Sequence, residues 1–198
     1  MAHNYNKSSD YEKTWHPIAN EFYFSKYPNS SLRRYDGNTP ASLSFQKKDI
    51  DVSVLRDDKI VHISEKFRQN DYGDLLIELY SKYPKTKGWM HNSEADFLTY
   101  FSPKKVYVLK KRELIDWYIQ EDFESKLKDA LKVFHEENVE KSTRQGIKFQ
   151  TKQGNLINIT LIQAFNQTRG SKWHTISLAI LWNDLKKEGL GVKDFELD

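Results

Sequence analysis

The 198-residue sequence contains no cysteine. That excludes disulfides, thiolate zinc centres and thiol nucleophiles together, and it fits a reducing, cytoplasmic setting. No stretch approaches the roughly 20 apolar residues of a membrane span, and the polar start Met1–Asp10 has no apolar signal core. Neither membrane insertion nor classical secretion is expected. An excess of one charge is also missing: 31 basic against 28 acidic residues leave +3, too mild a balance to imply nucleic acid by itself. There is no phosphate-cradling glycine loop, dinucleotide fingerprint or nucleophile elbow, and the six histidines show no His-x-x-x-His spacing. A nucleotide-dependent small-molecule enzyme, a hydrolase triad and a zinc site therefore have no motif behind them. At this length a single core buries roughly 70% of the unfolded chain's surface, so stability requires neither a disulfide nor a structural metal.

What is present divides by hydrophobic period. Residues 1–9 are polar and are expected to be disordered, with one domain over residues 10–198. Asp10 is placed to cap a helix ending near Tyr27, ahead of Pro28, with Trp15, Ile18, Ala19, Phe22 and Tyr23 as its apolar face. Residues 29–40 are rich in turn formers and read as a loop. Asp49–Leu55 and Ile60–Phe67 alternate as the two strands of a hairpin around Arg56–Lys59. Leu75–Tyr83 reads as a third strand, or as the start of a helix, since short apolar runs are ambiguous. Two more strands follow at Ala95–Phe101 and Lys105–Leu109, then helices over Arg112–Gln120 and Phe123–His135. A second hairpin spans Ile147–Gln150 and Leu156–Ala164, and Trp173–Glu188 reads as a closing helix. A core over about residues 10–120 with a helix-and-hairpin elaboration over 121–198 follows from this order.

The residues with chemical promise concentrate between Asp49 and Glu78. On a regular strand Asp49 and Asp51 share a face. On the next strand Ser64 and Lys66 share one face while Ile63, Glu65 and Phe67 take the other. Glu78 lies in an apolar run, where a carboxylate is costly unless paired or liganded. Carboxylates beside a lysine are what metal-assisted phosphodiester hydrolysis needs. Mg²⁺ takes one or two carboxylates plus waters, and a lysine stabilises developing charge or orients the attacking water.

Gln46–Asp51 (QKKDID) followed by Ile63–Arg68 (ISEKFR) resembles the core of the PD-(D/E)XK, or restriction-endonuclease-like, nucleases. The longer run through DYGDLLIELYS and Gly88-Trp89 is also similar to uncharacterised phage and mobile-element proteins related to that group. The resemblance covers about residues 20–118. It implies an α/β (α+β) fold with a central mixed sheet flanked by helices, Mg²⁺ or Mn²⁺ as cofactor, and DNA as partner, with a homodimer left open. Residue by residue, Asp51 matches the metal-binding Asp and Lys66 the motif lysine. The acidic position two before Lys66 is Ser64, a departure from the pattern. Glu65, re-aimed by a bulge, or Glu78 would supply the missing carboxylate, and Glu21 on the first helix would be a further ligand. Lys47, Lys48, Arg68, Lys104 and Lys105 would hold the nucleic-acid backbone. The alternative reading is a degenerate member that binds nucleic acid or protein without cutting, and Ser64 is the residue that favours it.

Overall fold

The computed structural model describes residues 5–168 and 170–197. Its backbone is mixed α+β, with two sheets, and it divides into two compact units. No helix among the described residues is long and apolar enough to cross a membrane.

The described residues of the first unit are 5–71, 92–112 and 193–197. This unit begins with helix α1 (Tyr5–Lys26), followed by β1 (Ser31–Arg34), α2 (Pro40–Gln46), β2 (Val52–Arg56) and β3 (Lys59–Phe67). The second unit comprises Tyr72–His91 and Glu113–Val192. In chain order β4 (Asp74–Lys82), β5 (Thr86–Lys87) and α3 (Trp89–Asn92) come next, α3 ending at the return to the first unit. The first unit then adds β6 (Phe97–Phe101) and β7 (Lys105–Lys110), and α4 (Lys111–Gln120) opens the longer return to the second. There follow α5 (Phe123–Glu137), β8 (Thr143–Gln150), β9 (Leu156–Thr168), β10 (Ser171–Leu181) and α6 (Trp182–Lys187), before β11 (Lys193–Glu196) rejoins the first unit.

The first unit holds a six-stranded mixed sheet in the order β1-β2-β3-β6-β7-β11. The β2–β3 hairpin is antiparallel with Val52 opposite Ile63, and β3 runs parallel to β6 with Lys66 opposite Tyr100. Val52, Val54, Ile63, Phe101 and Val106 present one face of this sheet to Ala19 and Tyr23 of α1, with Trp15 and Phe22 at its margin. Those helix residues recur every three or four positions, so they make one stripe. Burying each such large side chain contributes roughly 1.5–3 kcal/mol.

In the second unit the sheet is five-stranded and wholly antiparallel, in the order β5-β4-β10-β9-β8. Its inner face is built by period two: Leu75, Ile77 and Leu79 on β4, Ile157, Ile159 and Leu161 on β9, and Ile176, Leu178 and Ile180 on β10, all buried. Leu127, Leu131 and Phe134 form the buried stripe of α5, and Phe123 stacks on Phe149 at 4.2 Å between ring centroids.

Helix α1 includes residues 5–9, and residues 1–4 of the expected disordered start lie outside the described residues. Three local expectations are corrected. The presumed loop 29–40 contains β1, whose four residues pair with β2, and at its end α2 starts with Thr39 accepting from Ser42 N–H. The expected closing helix over Trp173–Glu188 is instead β10 followed by the short α6. Its apolar run satisfies either period, and pairing with β9 on one side and β4 on the other decides for strand. Leu75–Tyr83 is indeed a strand, but as β4 it joins the second sheet rather than the hairpin carrying Lys66.

Candidate functional site

Asp49 reaches the site through a turn rather than a strand. At the end of α2, Asp49 N–H donates to Gln46 O (3.0 Å) and Ile50 N–H to Phe45 O (3.1 Å), while Ile50 packs with Phe45 and Tyr35. This is a Schellman closure, whose left-handed residue is usually glycine. Here Asp49 takes that position at φ +55°, which an aspartate tolerates better than most residues. The turn aims its carboxylate inward, and two residues later the chain enters β2.

Asp51 sits just before β2. Its N–H donates to Ile63 O at 2.9 Å, and its Oδ2 accepts the Glu65 N–H at 2.7 Å. Lys66 extends from β3 with Nζ 2.7 Å from Asp49 Oδ1 and 3.8 Å from Asp51 Oδ2. A second lysine completes the group: Lys111, fully buried at the start of α4, places Nζ 3.2 Å from Asp49 Oδ2. Two aspartates and two lysines from three separate segments thus form one charged cluster.

Burial resists ionisation of Asp49, yet the Lys66 and Lys111 ammonium groups outweigh it and hold the carboxyl down at about 2. Burial alone would lower Lys66, but Asp49 and Asp51 raise it above the usual lysine value, so it is a stable ammonium. Lys111 has one acid close by and Lys66 as a like-charged neighbour. Burial dominates there and draws it down to about 7. Asp51 is raised, by burial first, with Lys66 opposing and Asp49 adding to the shift.

Glu65 points to the other side of β3, as alternation requires. Buried on the α1 face, it accepts from both Nη atoms of Arg34, whose Nε donates to Asn20 Oδ1 at 2.8 Å. Its carboxylate therefore meets arginine rather than Lys66, and its contribution to the cluster is the backbone N–H given to Asp51. Ser64 stands on the Lys66 side, fully buried, with its hydroxyl by Asp49 but outside hydrogen-bond geometry.

The remaining expected residues are dispersed. Glu78 lies on β4 of the second unit, opposite Ser177, where a Cβ on Gly88 would come within 2.3 Å of its carbonyl oxygen. Glu21 is exposed on α1. Lys48 pairs with Glu94 at 2.7 Å, and Lys105 with Glu196 at 2.9 Å and Asp194 at 3.6 Å. Lys47 and Lys104 are exposed, while half-buried Arg68 uses its backbone to bond Phe101 O and the Tyr11 hydroxyl.

Three participants escaped the sequence reading, and two carried a signal. Lys111 continues the phase of buried Tyr107 and Leu109 along β7. Glu12 stands three residues before Trp15 and seven before Ala19, in phase with the buried stripe of α1. Partial burial first, and then the charge of Asp51, raise Glu12, with Lys66 opposing. Arg34, inside a turn-rich segment, carried none.

The divalent cation implied by the resemblance meets a mixed donor set. Of the six carboxylate oxygens on Asp49, Asp51 and Glu65, five already accept from a lysine, an arginine or an N–H. Asp51 Oδ1 accepts no hydrogen bond among the described residues, and the Asp51 side chain keeps 36% exposure. Glu12, exposed on α1, feels the Asp51 charge. Mg²⁺ takes one or two carboxylates and keeps several waters. No group of three or more metal-binding side chains is assembled among the described residues.

No protein-family model, no curated protein and no solved structure matches the chain.

Proposed function

We propose that the chain is a metal-dependent nuclease with a restriction-endonuclease-like core in its first unit, hydrolysing phosphodiester bonds in DNA. The observation that carries this reading is the meeting of Lys66 with both Asp49 and Asp51 beside a solvent-reachable Asp51 carboxylate. The mixed sheet flanked by α1 supports it, since the resemblance implies such a core. A divalent ion held by Asp51 and Glu12 would supply an acidified water and neutralise phosphate charge. Lys66, kept protonated by its two aspartates, stabilises the negative charge that develops on the phosphate oxygens, rather than acting as the base. Asp49 and Lys111 hold that ammonium in place, and Glu65, locked by Arg34, aims the Asp51 carboxylate through its N–H.

A second reading is a nuclease-fold protein that binds without cutting. It is favoured by the five oxygens already engaged and by Ser64 at the acidic motif position. Cleavage of labelled linear, circular and branched DNA with Mg²⁺ or Mn²⁺ separates the two. Metal-dependent cleavage lost in Asp51→Ala and Lys66→Ala is the expected result, with a drop of about 10²–10⁴-fold for the lysine. A folded wild type that cuts none of these substrates would leave the binding reading in its place.

A further inference from the structure

From Lys141 to Asn183 the chain runs 43 residues without one Asp or Glu, while carrying six Lys and Arg residues. All 28 acidic residues lie outside this stretch. It contains the whole of β8, β9 and β10, so three adjacent strands of the second sheet bring no negative side chain to either face.

On β9 the inward residues are the buried Ile157, Ile159 and Leu161, and outward ones alternate with them; the outer face is open at β8 and closes toward β10, where Ser177 and Ala179 are buried. On the outer face Arg144 and Lys148 of β8, two positions either side of Gly146, are exposed, and Lys148 stands opposite exposed Asn158. A Cβ built on Gly146 would meet nothing within 4 Å, so the surface between the two cations is open. Neither cation forms an ion pair among the described residues. Three other lysines near this sheet do: Lys87 with Glu124, Lys126 with Glu121, Lys172 with Glu140. Half-buried Trp173 lies on the same outer face, toward β10, with Lys82 Nζ 5.3 Å from its ring centroid. Being the last strand of its sheet, β8 also leaves one row of backbone donors unpaired.

We infer that the outer face of β8 and the adjoining start of β9 is a docking surface for the phosphate backbone of DNA, gripped by Arg144 and Lys148. Charge complementarity selects the occupant. Two exposed cations without an ion pair, on a strand whose neighbours β9 and β10 also lack acids, attract a polyanion, with salt-dependent affinity and no base readout. Amide side chains such as Asn158 add neutral hydrogen bonds to phosphate or sugar, and an aromatic at the margin offers a stacking platform. This deepens the nuclease reading by giving the second unit the task of holding substrate, yet binding does not depend on cleavage.

The test uses the full chain with EDTA present, titrated against a short fluorescein-labelled DNA while anisotropy is read at several salt concentrations. The variant R144E/K148E should bind about tenfold more weakly or worse, and its plot of log affinity against log salt should be shallower by about two contacts' worth. The control K128E/K132E makes the same change in net charge on exposed positions of α5 and should bind nearly as wild type. Wild type that binds DNA in EDTA but cuts none of the substrates with Mg²⁺ or Mn²⁺ removes the nuclease reading and leaves this one standing. Unchanged affinity in R144E/K148E with its circular dichroism preserved overturns the inference. Equal loss in the control does so too, by reducing the effect to net charge, as does binding to phosphatidylserine vesicles but not to DNA.

Discussion

The two units treat charge in opposite ways. In the first, Asp49 and Lys111 are drawn out of solvent and, with the partly exposed Lys66 and Asp51, neutralise one another. In the second, Arg144 and Lys148 stand in water with no acid on their strands. A buried ion must be paired, because its desolvation penalty reaches several kcal/mol, whereas an exposed one costs almost nothing to leave alone. The first arrangement suits chemistry, where charges need fixed positions. The second suits attraction, where an unpaired charge remains available to a partner.

That contrast is breakable by mutation. The largest effect is expected for Asp49→Asn, which leaves Lys66 and Lys111 facing each other without their shared anion. Urea denaturation should register a loss of about 3–5 kcal/mol, while Arg144→Gln with Lys148→Gln should stay within about 0.5 kcal/mol of wild type. Equal losses in both would remove the distinction between the units.

Arg34→Met comes next, at about 3 kcal/mol near neutral pH, since Glu65 is left buried without its partner. Burial already raises Glu65 in the folded protein, so without Arg34 it takes up a proton more readily. The loss should therefore shrink as pH falls toward 5, and a loss independent of pH would mean that packing, not charge, is the cause.

A smaller cost, about 1–3 kcal/mol, is expected for Gly88→Ala in the second unit. The new methyl would meet the Glu78 carbonyl carbon at 2.7 Å as well as its oxygen, and backbone cannot step aside as a flexible side chain does. A variant as stable as wild type in thermal melts would show that β4 and β5 separate freely.

The smallest effect is a difference in acid sensitivity. Burial first, and then the charge of His135, lower His174 in the folded protein, with Glu140 opposing. Its neutral ring is favoured, so its contribution is complete above the ordinary histidine value near 6.5 and is lost as pH falls below it. Asp49, held at about 2, contributes fully above the ordinary aspartate value near 3.9 and loses that contribution only as pH drops from there toward 2. Amide hydrogen exchange followed during acid titration should loosen β9 and β10 around His174 as pH falls below the ordinary histidine value, and His174→Phe should abolish that step. An unchanged step in the variant would contradict the assignment.

The residues themselves show where the sequence was readable. The β2–β3 hairpin was legible because Val52, Val54, Ile63 and Phe67 alternate over a short polar turn, and α5 because Leu127, Leu131 and Phe134 recur at helical spacing. Asp51 and Lys66 were legible as a pair for the same reason, since a hairpin's register follows from its turn. The acidic partner was not. Alternation sends Glu65 away from Lys66, and only an arginine on an edge strand explains why that carboxylate is tolerated there. Ser171–Leu181 was misread because its apolar run fits either period until neighbouring strands choose between them.

Local periodicity, composition and the acid-free stretch from Lys141 to Asn183 were settled by the order of residues alone, because side-chain direction and charge are properties of the chain. Tertiary structure decided that β4 joins β10 about a hundred residues later, that a Schellman turn delivers Asp49, and that Lys111 meets it from the far end of β7. Those outcomes depend on which distant segments close around one another. The gain from burying such contacts appears only once the loops between them have closed.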